Sequence, residues 1–440
     1  MLQVGVAKLD ITPPVGVRMA GFAGRVFPSL AVHDPLWARA IVFDNGEARV
    51  GAVALDLIFA GADAAAAVRK GVASSLGIDP QGLLMAATHT HSGPAFRDDG
   101  TFTEDERAYW AALPERLVAV VKEAAAALSP ARVGVASGWS AIGINRREKT
   151  PEGRVVLGRN HFGLFDPEVG VIRIDHASGE PMACNMNYAC HAVCLMFDNY
   201  LTSADYPGFA VHQFEENVPG AMGIFFNGAC GNINPREAGV GHGYASGGSF
   251  MIAERAGSRL AEEATRVWRK ATPGDSADLG WASRTIALPT HRARAIRLAE
   301  EALRRAESAH AAEGPPPERN PYMTTYYPPN PERERRRLEK LREQGDAPLE
   351  CEVQALKVGP VAFLGWPGEI FCDFGIQVKQ QAPFRPTYTI GYANGAIGYV
   401  PTPEAFAEGG YEADAAAHLA DDAGLVLVEQ SLEMLNCMKR

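Results

Sequence analysis

Leu83-Leu84-Met85-Ala86-Ala87-Thr88-His89-Thr90-His91-Ser92-Gly93-Pro94 is the stretch from which the rest of the chain is read. Its first five residues are apolar without interruption. That pattern predicts a strand buried on both faces, the kind found inside layered α/β domains. The strand breaks at Gly93-Pro94. On extended backbone, His89 and His91 lie two positions apart and point to the same side. Paired imidazoles at the end of a strand are either metal ligands or satisfied polar residues, and the pair by itself leaves both readings open.

Outward from this strand, short apolar runs alternate with alanine-rich helical patterns. Strands are predicted over Val4–Ile11, Ala38–Phe43, Val50–Ile58, Val133–Ala136, Val169–Ile174, Ala183–Tyr188 and Ala221–Phe226. Helices are predicted over Ala62–Leu76, Thr103–Leu128, Phe250–Lys270, Ile370–Gln381 and Ala415–Leu435. The second of these opens with the capping-box pattern Thr103-Glu104-Asp105-Glu106. Glu352–Gly365 reads as a hairpin turning at Gly359-Pro360. The expected fold class is α/β, a layered central mixed β-sheet flanked by helices, in one domain over residues 1–440. Residues 286–350 break the pattern. His291–Glu313 and Glu332–Gln344 are charged helices joined by the proline- and tyrosine-rich Gly314–Pro331. Such narrow apolar stripes pack weakly on a core, so this region is expected to be an inserted helical arm: a solvated hairpin, a lid, or a homo-oligomer contact.

The composition is that of a globular protein, with 47% hydrophobic and 21% charged residues. A net charge of -10 argues against nucleic acid as a partner. No apolar run approaches the ~20 residues needed to span a bilayer, so stable membrane insertion is not expected. The N-terminus has no signal-peptide pattern, which gives the expectation of a cytoplasmic protein acting on a small molecule. Seven cysteines without paired spacing read as free thiols. Among them Cys190, beside His191, is a possible thiolate ligand, although neighbours on a strand face opposite sides.

Further chemistry-bearing residues recur where strands end. His191 follows Asn187-Tyr188-Ala189-Cys190, and Glu369 follows Trp366-Pro367-Gly368, at the start of a predicted helix. Tyr399 and Tyr411 lie in glycine-flanked segments. Taken singly, the carboxylate reads as a helix cap and the tyrosines as packing residues. Together, two histidines and a glutamate form the ligand set of a catalytic zinc site that keeps one position open for water. Such an ion lowers the pKa of its water to about 7.

These segments, with Ser203-Ala204-Asp205-Tyr206-Pro207-Gly208 and Pro367-Gly368-Glu369, resemble in order and context the catalytic domain of the neutral, non-lysosomal ceramidases over roughly residues 3 to 435. The resemblance implies an α/β fold and zinc-dependent hydrolysis of an N-acyl amide. It implies that His89, His191, Glu369 and Tyr399 bind zinc and that His91 is an acid/base or substrate contact beside the metal. It further implies that Tyr411 lines the pocket and that Arg146 contacts the substrate. Asp56, ending a strand, is either a carboxylate that orients a ligand or a turn cap.

The chain departs from the family pattern in three respects. Where ceramidases carry a serine nucleophile, Gly231-Asn232-Ile233-Asn234-Pro235 carries Asn234, whose amide cannot act as one. Neither the family's additional C-terminal domain nor an export signal is recognised. The favoured reading is therefore a cytoplasmic zinc hydrolase that cleaves a soluble amide by direct attack of zinc-bound hydroxide, with Asn234 either an oxyanion donor or a turn cap. The alternatives are a lipid N-acyl amidase, metal-assisted cleavage of a sugar or other polar conjugate, and a catalytically inactive metal-stabilised binding protein. The glycine-rich loop Gly239–Gly248 reads as a flexible rim near Asn234, and His242 within it as a surface residue.

Overall fold

Eight strands form the principal sheet, in the spatial order Met222–Asn227, Pro181–Tyr188, Glu168–His176, Ser129–Trp139, Gln3–Asp10, Trp37–Asp44, Arg49–Leu55, Leu83–Ala87. The outermost pair at each edge is parallel and the inner pairs are antiparallel, so the sheet is mixed. The computed structural model describes residues 1–440 except 23–24, 26, 97–101, 239–247, 314–330, 344–346, 417 and 440. The linker of the arm and most of the glycine-rich loop, including His242, lie outside the described residues.

Every residue of Leu83–Ala87 is buried, as its uninterrupted apolar run requires, although it is an edge strand. The exposed edge that would result is covered by the segment around Tyr392–Asn394. Asn394 donates its N–H to Met85 O at 2.8 Å and accepts from Met85 N through Oδ1 at 3.0 Å. A covered edge has no unpaired backbone left to template aggregation.

A second sheet packs against the first. It runs in the order Leu279–Leu288, Leu349–Val358, Val361–Gly365, Thr387–Ile390, and its middle two strands are the predicted hairpin around Gly359-Pro360. Phe226 of one sheet meets Phe363 of the other within a shared core that also takes in Tyr388 and Leu84. Helices Ala62–Leu76 and Glu104–Ala126 cover one part of the large sheet, and Asp205–Asn217 and Phe250–Lys270 another. Cys372–Gln381 and Ala423–Lys439 cover the small sheet. Thr103 closes the predicted capping box, accepting from Glu106 N while Glu106 accepts from Thr103 N. In the arm, Arg292–Glu313 pairs with Pro331–Glu343, tied by Arg335–Glu307 and Arg342–Glu300. No helix among the described residues is long and apolar enough to cross a membrane.

Two sequence expectations are corrected here. The predicted helix over Ile370–Gln381 begins at Cys372, because Glu369–Ile370 pairs as a short parallel strand with Tyr399–Val400. The predicted helix over Ala415–Leu435 is two helices, Tyr411–Ala415 and Ala423–Lys439.

The fold places the site by bringing the two edges of the large sheet together at their C-terminal ends. Asn227, ending one edge strand, donates through Nδ2 to Thr88 O and to Cys190 O, both at 3.0 Å. The segments that follow Ala87 and Tyr188 are thereby fastened side by side.

Candidate metal centre

His89, His91 and His191 converge, all buried, with their candidate ligand atoms all within 4.8 Å of one another. His89 Nε2 lies 3.1 Å from His91 Nε2, and Glu369 Oε2 lies 3.1 Å from His191 Nε2 and 3.5 Å from His89 Nε2. Such spacings match the edges of a tetrahedron with metal bonds of about 2.0–2.1 Å.

The hydrogen bonds behind the rings decide what can sit between them. His89 Nδ1 faces Ile58 O at 2.7 Å, and His191 Nδ1 faces Cys230 O at 2.8 Å. A carbonyl only accepts, so both Nδ1 atoms donate and the Nε2 atoms of the neutral rings carry lone pairs. Those lone pairs point at each other's neighbours and at the Glu369 carboxylate. Protonating the rings would relieve the conflict, but burial and then the Arg146 guanidinium push His191 down to about 4. Burial and then the neighbouring imidazoles push His91 well below its ordinary value. Burial opposes the charge on Glu369; its carboxyl is lowered only if the imidazoles donate to it, which rings protonated on Nδ1 do not, so a cation among them is what would keep it ionised. Neutral nitrogens and a carboxylate around one point fit a divalent cation.

His91 differs from its two partners. Its Nδ1 is buried with no hydrogen-bond partner among the described residues, so no acceptor fixes its tautomer. Gly21 (φ 91°) packs flat against this ring, where an added Cβ would come within 2.3 Å of it. Phe22 meets the ring edge-on.

The opposite wall comes from a strand that sequence pattern missed, Gly143–Lys149, flanked by Ile233–Pro235 and Val155–Asn160. It delivers Arg146, which donates from Nε to Glu412 Oε1 at 2.7 Å and from Nη1 to Asn234 Oδ1 at 3.1 Å. Nη1 also lies 3.3 Å from His191 Nε2. The guanidinium stands over the rings of Tyr399 and Tyr411. Glu412 is fully buried and also accepts from Arg147 at 2.8 Å, so one carboxylate holds two arginines. Burial opposes its charge, and the two arginines outweigh that and lower its pKa. Nothing in the sequence distinguishes Glu412 from an ordinary first-turn acid, and it was not anticipated.

Glu369 and Tyr399 are register partners on adjacent parallel strands. Gly231 makes this possible: its N–H donates to Ile370 O, and an added Cβ would sit 2.3 Å from Glu369 O. Tyr399 is buried, and burial raises its phenol well above its ordinary value. Tyr411 is half-exposed at the mouth, its ring 5.5 Å from that of Tyr399.

Three expectations change. Asn234 is a strand residue paired with Ile144 and orients Arg146, so it does not cap a turn. Asp56 does not orient a ligand; its Oδ2 accepts from Trp37 N at 2.9 Å, and backbone carbonyls orient the histidines instead. Cys190 is no ligand either, because its Sγ faces His191 O and burial pushes its thiol well above the ordinary value.

Comparison with known proteins follows the same lines. Residues 2–240 match the family described as neutral/alkaline non-lysosomal ceramidase, N-terminal. A neutral ceramidase of Pseudomonas aeruginosa is 25% identical over 466 residues, covering 93% of this chain and 68% of that protein. One of Mycobacterium tuberculosis is 28% identical over 235 residues, covering 50% of this chain and 37% of that relative. The fold is shared with a ceramidase complexed with C2, at TM-score 0.73 and 20% identity over 100% of this chain and 75% of that one. It is shared also with the crystal structure of the Pseudomonas aeruginosa neutral ceramidase, at TM-score 0.72 and 21% identity, over 100% of this chain and 74% of that one. The family match spans more than half of the chain and takes in His89, His91, Arg146, His191 and Asn234; the chain belongs to the neutral/alkaline non-lysosomal ceramidase family, a family of amide-bond hydrolases.

Proposed function

We propose that this chain is a zinc-dependent hydrolase that cleaves the amide bond of a small soluble substrate. The observation that carries the proposal is the set of lone pairs on His89 and His191 converging beside Glu369, an arrangement suited to a divalent cation. In this reading His89, His191 and Glu369 hold the ion, with Tyr399 completing the set beside Glu369. Two neutral imidazoles with a carboxylate suit zinc over magnesium or calcium, which prefer oxygen donors. A zinc ion bound there supplies Lewis acidity and a water ionised near neutral pH.

The chain's own residues do the rest. His91, with no acceptor fixing its tautomer, takes and returns the proton that must move from water to the departing amine. Arg146 brings a permanent positive charge to the place where the carbonyl oxygen becomes anionic. Glu412 and Asn234 hold its guanidinium from two sides, and Tyr399 and Tyr411 hold it through their faces. Asn234 occupies the position of the nucleophilic serine in the resembling family and offers no nucleophile, so the attacking group is water.

Charged and hydrogen-bonding side chains around Arg146 favour a polar substrate. A second reading, a lipid N-acyl amide, is favoured by the names of the relatives. Elemental analysis of the purified chain, followed by turnover of a panel of N-acyl amino acids against a fluorescent ceramide in detergent, separates the two. The proposal expects about one zinc per chain and faster turnover of the soluble amides. Protein that neither purifies with nor takes up a divalent ion would overturn it, and ceramide as the better substrate would select the second reading.

A further inference from the structure

A second cavity of about 350 Å³ lies beside the histidine cluster and shares no residue with it. The two are linked along the chain: Thr88 lines the cavity, and the next residue is His89. The volume falls in the range of small-molecule sites, about 300–1,000 Å³. We infer that this cavity binds a compact organic cation, a primary ammonium carried on an apolar body.

The floor is built for it. Asp56 is 7% exposed, and its one hydrogen bond of full geometry is the 2.9 Å contact from Trp37 N to Oδ2. Thr88 is 2% exposed; its hydroxyl lies by the Asp56 carboxyl, and Oγ1 makes no hydrogen bond of full geometry to any described residue. The Thr88 hydroxyl turns its proton to the Asp56 carboxylate, which leaves the lone pairs of that hydroxyl and the remaining lone pairs of the carboxylate as buried acceptors. An ammonium brings three donors and no acceptor, and so can serve both.

The remaining charges point the same way. Lys8 and Arg39 also line the cavity, but both are engaged by Glu215, at 3.4 and 2.6 Å, and Arg39 donates as well to Gly223 O. Arg39 favours the charge on Asp56 without contacting it within ion-pair distance. Asp34, at the same cavity, likewise has no lysine or arginine in ion-pair distance among the described residues. Counting side chains, three carboxylates face two committed cations, so an anionic ligand would meet repulsion. Phe209 and Phe225 supply aromatic wall for a hydrocarbon body, while the Trp37 ring already carries Lys8 at 5.1 Å and Arg39 at 5.9 Å, so the ligand ammonium is met by Asp56 and Thr88 and not by that ring.

Isothermal titration calorimetry on the purified full chain tests this with phenethylammonium, 2-phenylethanol and 3-phenylpropionate, three probes of similar shape and different charge. The expected result is measurable binding of the ammonium, with the alcohol and the carboxylate at least about tenfold weaker. Asp56→Asn, which keeps an acceptor for Trp37 N, should weaken the ammonium at least about tenfold. His212→Lys puts a positive charge on a side chain that is 73% exposed, where folding is not at stake, and should weaken it a few-fold. Equal affinity for the carboxylate, or no change in both variants, overturns the proposal. So does binding that is lost in Glu369→Gln and kept in Asp56→Asn, which would assign the amine to the metal centre.

Discussion

Thr88 and His89 are consecutive residues, yet they face two chambers in which burial acts on opposite chemistries. In the histidine chamber, burial lowers the imidazoles of His91 and His191, to about 4 for His191, and so keeps those two neutral. In the Asp56 cavity, burial raises a carboxyl from 3.8 to about 6 and so also favours the neutral form. Desolvation penalises whichever form is charged. What separates the chambers is the supporting shell. His89 and His191 are oriented by carbonyls of Ile58 and Cys230, while Asp56 has a single backbone donor. The first chamber has its donor atoms fixed in advance for a small divalent ion that accepts nitrogen donors. The second leaves acceptors unfixed, which suits a ligand that brings its own shape.

The largest expected effect tests that division. Glu369→Gln should abolish stoichiometric zinc and reduce amide turnover by at least about 10³-fold, since loss of a metal-held nucleophile removes most of the transition-state stabilisation. Asp56→Asn should purify with its metal intact; elemental analysis of the two variants side by side breaks the comparison if both lose the ion.

The next effect is on stability. Because the folded pKa of Asp56 lies above its unfolded value, the native state holds the proton more tightly. Its contribution is fully present below pH 4 and is lost as pH rises through 6. The shift from 3.8 to about 6 corresponds to about 3 kcal/mol. Urea unfolding of metal-free protein between pH 4 and 7 should show the wild-type chain losing more stability than Asp56→Asn over that window. Parallel curves would mean that Asp56 titrates normally.

Glu412→Gln should lower kcat by about ten- to a hundredfold while zinc content is retained, because charge-assisted hydrogen bonds to the Arg146 and Arg147 guanidiniums contribute about 1.5–3 kcal/mol. The effect should fall on kcat more than on KM, which separates orienting Arg146 from binding substrate. The smallest effect is expected for Tyr411→Phe, about two- to tenfold in KM, the value of one hydrogen bond at a half-exposed mouth.

Elements with continuous apolar runs or strong caps were readable from sequence. Ala62–Leu76, Leu83–Ala87 and Phe250–Lys270 begin and end where the pattern puts them. Gly143–Lys149 was missed because Asn-Arg-Arg-Glu-Lys carries no strand pattern; its buried arginines are held by Glu412, 265 residues further along. The helix Asp205–Asn217 was hidden by Pro207 and Gly208 in its first turn. In the site, His89, His91, His191, Glu369, Tyr399, Arg146 and Asn234 come together around one point. The carbonyls of Ile58 and Cys230 behind the imidazoles leave no trace in sequence, because any residue supplies one. Asp56 was drawn toward the metal by its nearness to strand ends, and only coordinates place it behind Thr88.

His89 adopts φ of 65°, a left-handed conformation that is unfavourable for a residue with a Cβ, and Tyr392, stacked on its ring at 3.8 Å, adopts 59°. Tension of this kind, of order 1–2 kcal/mol per residue, persists only where surrounding contacts enforce it. Ligand geometry and chain comfort are therefore opposed at this one position. Glycine at 89 would relax the main chain while deleting the imidazole, whereas alanine would delete the imidazole and keep the contortion. A histidine in that conformation is the choice of chemistry over backbone ease.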